Sequence, residues 1–307
     1  MTVGRPTVGG ELDAVADWVQ RLAVLLTAGL EPLAAVRAIE HPPPELAAAA
    51  ACDSPYDVPR RMVDGSVDTT PSAVPAWALL AAAWTVALES GAPLAEALDR
   101  VADSLRALAD ADRQVDLAIT GPIATARIVA ALPLLGLGMG LLIGADPLGV
   151  LFGTVPGAVG GAMGAVLLAI GIRWNRRLVA AARRYDPLSG LGAELLALAL
   201  AGGGTPERAA VLVADAVRRA GIAVELRDAE QTLAFAGRAG VPVGALLRAD
   251  ASRQRRLASA AALRQAALLG TRLLAPLGLC FLPSFVLLGV VPLVIGILRD
   301  AVGSFTG

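Results

Sequence analysis

The chain of 307 residues has no lysine, one histidine (His41) and two cysteines (Cys52 and Cys280). A lone histidine removes most catalytic and metal constellations that depend on imidazole. The cysteines lie far apart, Cys280 inside an apolar run, so neither a disulfide framework nor a metal site is expected. Charge is also scarce: Asp, Glu and Arg make up 17% of the chain, against about 25% in soluble domains. Apolar residues reach 56%, so the chain either has a large core or lies partly in lipid. The net charge of −1 gives no reason to expect a nucleic-acid partner. No convincing strand signal occurs, and no cofactor is expected. The first residues, MTVGRPTVGGELDAV, have no apolar core of the kind a cleaved signal peptide needs.

What is present is long apolar helix. A membrane span takes about 20 mostly apolar residues. Ile128–Ala145, Pro147–Ile172 and Leu273–Leu298 contain no charge. Only a tight turn at ADPLG separates the first two, which predicts a helical hairpin across the bilayer. Arg173, Arg176, Arg177, Arg183 and Arg184 follow the second span, whereas the hairpin turn carries only Asp146. Arginine excess marks the cytoplasmic side. The turn is therefore expected outside, with Arg127 and Arg272 flanking the first and third spans on the inside. Arg173, Arg176, Arg177 and Arg272 are the topology anchors. Gly136, Gly140 and Gly144 recur every four residues in the first span, as do Gly153, Gly157 and Gly161 in the second. Small residues at that spacing let backbones approach in lipid, either within the hairpin or across a dimer face.

The remaining segments read as helices on one side of the membrane. In ELDAVADWVQRLAVLLTAGLEPL, Leu12, Val15, Val19, Leu22 and Leu26 share a face. Gly29 closes that helix and Pro32 opens the next. In ESGAPLAEALDRVADSL, a Gly-x-Pro turn precedes the stripe Leu94, Leu98, Val101, Leu105 and Leu108. The second segment repeats the plan. Thr205, Pro206 and Glu207 read as a helix start after Gly202–Gly204; a phosphate loop there would need a following Lys-Ser/Thr and a preceding strand. From His41 to Pro75 the chain is Pro-rich. PELAAAAAC there allows a short helix, and DSPYDVPRRMVDGSVDTTPSAVP reads as loop.

Aligning Gly91 with Gly240 places Pro93 on Pro242 and Ile123 on Arg272. Each copy is then helix, glycine break, helix, Gly-x-Pro turn, helix and span. Domain limits follow: a cytoplasmic helical domain at 1–122 with a Pro-rich insert at 41–75, a hairpin at 123–172, a second cytoplasmic domain at 173–271, a third span at 272–298 and an external tail at 299–307. The fold class is an all-α membrane protein with two duplicated cytoplasmic helical bundles and three transmembrane helices.

Here a family resemblance becomes specific. Repeated cytoplasmic helical domains followed by spans resemble the F-domain platform proteins of type II secretion and type IV pilus systems. LLTAGLEPLAAVRAI resembles their opening helix pair, ESGAPLAEALDRVADSLR their second, and GLCFLPSFVLLGVVPLVIGIL the final span of tight-adherence (Flp) pilus members. The resemblance implies a multi-pass inner-membrane platform with a cytoplasmic N-terminus and no catalysis of its own. It couples a hexameric secretion ATPase to a pilin or pseudopilin and pairs with a paralogous platform protein or with itself. Membrane lipid is the further partner. The partner face is placed at Glu89, Gly91, Pro93, Glu96, Asp99 and Arg100; the alternative for these charges is a solvated helix face. Arg253, Arg255 and Arg256 form a basic cluster before the third span, suited to topology anchoring or lipid contact. A membrane scaffold or small transporter subunit is the rival function. A transporter needs ionisable residues inside its spans, and these spans hold none.

Overall fold

The structure, a computed structural model, describes residues 8–66, 73–143, 147–182, 188–239 and 241–297. Every regular element among them is helical. The first segment contains α1 (Val8–Thr27), α2 (Pro32–Arg37), α3 (Pro44–Ala50), α4 (Val58–Gly65), α5 (Val74–Ser90) and α6 (Leu94–Leu142). Then come α7 (Pro147–Gly153), α8 (Val155–Ala182), α9 (Leu191–Ala201), α10 (Pro206–Arg219), α11 (Arg227–Ala239) and α12 (Val243–Pro276). Beyond Pro276 the last helix continues through a π turn at Leu277–Phe281, α13 (Leu282–Phe285) and a second π turn at Val286–Val290.

Two compact units emerge. Met1–Arg113 and Tyr185–Ala260 make one; Gln114–Arg184 and Ala261–Gly307 make the other. In the first unit the two helical segments share one hydrophobic core rather than holding one each. Leu22, Leu80, Trp84, Leu98 and Leu105 from the first segment belong to the same cluster as Leu195, Leu196, Val213 and Leu247 from the second.

The centre of that core is α5, where twelve consecutive residues from Ala76 to Ala87 are buried. A helix apolar on all sides must be surrounded, and at 17 residues it is short for a span. Around it the sequence signals act as expected. The stripes of α1 and α6 are buried from Leu12 to Leu22 and from Leu94 to Leu108. Gly29 has φ of 93° and ends α1 with Gly29 N–H donating to Leu26 O and Leu30 N–H to Leu25 O. These paired bonds satisfy carbonyls that the helix end would leave open. Gly221, φ 70°, closes α10 with the same two bonds. Thr205 caps α10, its side chain accepting from Arg208 N–H at 3.4 Å.

The Pro-rich insert differs from the expected loop. PELAAAAAC does form α3, but residues 58–65 form α4 as well. Asp57–Val58–Pro59 starts that helix with proline in its first turn, where its missing N–H costs nothing. Val58 and Met62 are fully buried. Arg37 donates to the carbonyls of Ala50 (3.0 Å) and Cys52 (2.6 Å), and Trp84 Nε1 donates to Pro55 O at 3.1 Å. Proline density marked helix starts here, and the packing residues lay between them.

Three helices in the structure are long and apolar enough to cross a membrane: Leu94–Leu142, Val155–Ala182 and Val243–Ile297. The second corrects an expectation. Pro147–Ile172 is not one uninterrupted helix, because the chain breaks at Thr154. Thr154 Oγ1 accepts from Gly157 N–H at 3.0 Å and donates to Val150 O at 2.8 Å. Threonine two residues before proline is a helix start here, as Thr205 before Pro206 is at α10. α7 then folds back over α8, with Leu151 against Gly161 and the Val150 carbonyl against Gly157.

Within the second unit, α6 and the last helix run in the same direction. Gly270 faces Pro122, and Gly136 faces Phe285 and Gly289. α8 runs the other way, Gly171 against Cys280 and Phe281, Gly164 against Leu287 and Leu288. Ser284 Oγ donates to Gly164 O at 2.9 Å, a buried bond between two apolar helices. The π turns have a chemical origin. Pro283 and Pro292 cannot donate to the carbonyls of Leu279 and Leu288 four residues earlier. Each of those carbonyls lies inside a π turn, where the wider bonding pattern absorbs the defect.

Candidate functional site

The charged residues around the Gly91-x-Pro93 turn fall into two groups. Gly91 has φ of 78° and caps α5, a backbone position that favours glycine. Pro93 O accepts from Ala97 N–H at 3.1 Å, and Pro242 O accepts from Leu246 N–H at 3.3 Å. The two turns thus start α6 and α12 by the same bond. Gly240 lies outside the described residues.

Glu89 is occupied from within. Arg219 of α10 donates to it at 2.8 Å and also pairs with Asp215. The guanidinium of Arg219 holds the Asp215 carboxyl below its ordinary range. Glu89, followed by Asp215, in turn raises Arg219. Beside this pair, a Cβ on Gly202 would overlap the Ser90 carbonyl, so the glycine break after α9 sits directly on the end of α5.

Asp99 is also engaged, accepting from Gln20 Nε2 at 2.8 Å; Gln20 Oε1 accepts from Arg106 at 2.9 Å. Arg106 further approaches Asp17 and Asp103, both at 3.7 Å, and Arg113 pairs with Asp13. These groups tie the polar edge of α6 to α1. Glu96 and Arg100 differ: their 3.8 Å pair lies along one helix face, with side chains 69% and 39% exposed. Glu89 and Asp99 are also exposed but bonded to other helices, whereas Glu96 and Arg100 pair along α6 itself.

One feature escaped the sequence. Glu194 of α9 pairs with Arg255 of α12 and accepts from Ser104 Oγ of α6 at 3.4 Å. Its side chain is only 17% exposed. No local spacing links residues so distant in the chain. Arg253 is likewise paired, with Asp250 at 2.9 Å. Arg256 lines a cavity of about 670 Å³ with Phe235 and Asp228. The cluster expected to anchor topology is thus mostly spent on internal pairs.

The glycine stripes are divided as well. Gly136 and Gly164 contact the last helix, Gly157 and Gly161 contact α7, and Gly153 faces open space. Gly140 is buried. Gly144 lies outside the described residues, as do Asp146, Arg183, Arg184 and the 299–307 tail. Arg173, Arg176, Arg177 and Arg272 are all exposed. Among the described residues no group of three or more His, Cys, Asp or Glu is placed to hold a metal. Burial raises the thiol pKa of Cys52, which keeps it protonated.

Residues 66–142 match the family model described as Type II secretion system (T2SS), protein F. The matched residues cover α5, the Gly-x-Pro turn and α6, about a quarter of the chain. No curated protein and no solved structure matches the chain.

Proposed function

From a protein F domain over residues 66–142, we propose that this chain is an inner-membrane platform of a secretion or pilus-assembly machine of the tight-adherence (Flp) type. Its N-terminus is cytoplasmic. A hexameric secretion ATPase acts on the first unit, and the apolar helices pass that movement to pilin or pseudopilin subunits in the bilayer. The platform does no chemistry itself and works as a homodimer or with a paralogous partner.

The observation that carries this reading is the position of the matched residues. They cover the most buried helix, α5, and the 49-residue α6. That length is more than twice the about 20 residues a span needs. The outward-facing charges of Glu96 and Arg100 sit on the first turns of the same helix whose far end is apolar. A push on those turns and a response in lipid would share one continuous helix.

The test is crosslinking in native membranes, with photoreactive groups at positions 96 and 100, followed by identification of captured proteins. Recovery of a secretion-type ATPase or a small pilin-like protein supports the platform. Recovery of neither, in cells that are assembling the machine, overturns it and brings forward a plain membrane scaffold.

A further inference from the structure

Within the second unit, α6, α8 and the last helix enclose a cavity of about 590 Å³, lined by Ile123, Ala126, Arg127, Asn175, Arg176 and Phe281 among others. Its lining is of two kinds. Ile123, Ala126 and Phe281, with Ala130 and Ile172, give an apolar wall. Arg127 and Arg176 give two positive charges, and neither has a carboxylate partner among the described residues. Between them in character is Asn175, whose Oδ1 is buried without a hydrogen-bond partner. A buried acceptor left unsatisfied forfeits its hydration without recompense, so it is expected to receive a donor. Trp174, 37% exposed, neighbours the site in sequence, and indole rings favour the depth of lipid headgroups.

We propose that this cavity binds one phospholipid, with its phosphate between Arg127 and Arg176. A hydroxyl of its headgroup donates to Asn175 Oδ1, and one acyl chain lies along Ile123, Ala126, Ala130 and Phe281. The chemistry selects an anionic lipid with hydroxyl donors, of which phosphatidylglycerol is the simplest. A free phosphate would satisfy the arginines and leave the apolar wall bare. The proposal rests on the membrane-spanning reading of the three helices, not on any secretion partner.

The test uses the full chain purified in detergent, loaded with equal phosphatidylglycerol and phosphatidylmethanol, which carries the same charge but no headgroup donor. Native mass spectrometry reads the lipid retained. One phosphatidylglycerol per chain is expected, preferred severalfold over phosphatidylmethanol. Arg127→Gln with Arg176→Gln should lower retention at least tenfold. Asn175→Leu should leave retention and abolish the headgroup preference. Arg173→Gln with Arg177→Gln removes the same charge outside the cavity and should change neither.

Equal loss in both arginine pairs would mean diffuse charge attraction and would overturn the site. So would displacement of the lipid by millimolar inorganic phosphate, or an unchanged headgroup preference in Asn175→Leu. Carbonate extraction of the cell membranes, before detergent is added, separates the two levels of failure. A chain that washes off membranes sinks the spanning reading, whereas one that stays integrated and retains no lipid sinks this site alone.

Discussion

α5 and α11 hold the same place in their segments, each just before a Gly-x-Pro turn, yet they sit in opposite environments. α5 is buried for twelve residues without a break. α11 buries Ala229 and Ala236 and leaves Phe235 55% exposed. The alignment that puts Pro93 on Pro242 also puts Trp84, fully buried, on the half-buried Leu233. Two similar plans along the chain therefore do not make two similar bodies. The first segment supplies the centre of the shared core, and the second completes it through α9, α10 and α12.

The sharpest test of that asymmetry is a matched pair of truncations. Trp84→Ala should cost about 3–5 kcal/mol, while Leu233→Ala at the equivalent position should cost about 1 kcal/mol. Thermal unfolding followed by far-ultraviolet circular dichroism in detergent reads both. Equal losses would break the comparison. Next comes the seam. Gly202→Ala drives a methyl into the Ser90 carbonyl and should cost about 2 kcal/mol, whereas Gly204→Ala meets open space and should change little.

Arg255→Ala leaves Glu194 largely buried and unpaired, with an expected loss of about 1–2 kcal/mol; Glu194→Gln with Arg255→Met should recover part of it. The smallest effect is acid-dependent. Asp215 has a lowered pKa in the folded state, so its contribution is complete above the ordinary carboxylate value of 3.8. It fades as the pH falls through the lower folded value. Asp215→Asn should therefore lower stability slightly at neutral pH, flatten the profile through that acid range and converge on the parent protein below the folded value.

Much of this architecture was legible because local chemistry decided it. The stripe from Leu94 to Leu108, the glycine stop at Gly29 and the cap at Thr205 each involve residues within a few positions of one another. The apolar runs pointed to three helices long and apolar enough to cross a membrane. What stayed hidden depended on distant parts of the chain. Glu89 looked free until Arg219 arrived from α10, and Glu194 had no visible partner until α12 brought Arg255. The break at Thr154 is a different case. Its threonine-proline signal was in plain sight, but the absence of charge across 147–172 outweighed it.

The two π turns change how the last helix must be numbered by face. Each takes up one residue more than an α turn, which rotates everything after it by about 100° relative to a straight α count. The mark of each slip is a pair of adjacent inward residues, Cys280 with Phe281 and Leu288 with Gly289. Inward positions then restart from each pair: Leu273, Pro276 and Cys280; Phe281, Ser284 and Leu288; Gly289, Pro292 and Gly296. A helical wheel drawn from Leu273 would assign Pro292 and Gly296 to the wrong side. A one-residue deletion inside either turn would remove a slip rather than create one, realigning the helix beyond it instead of merely shortening it.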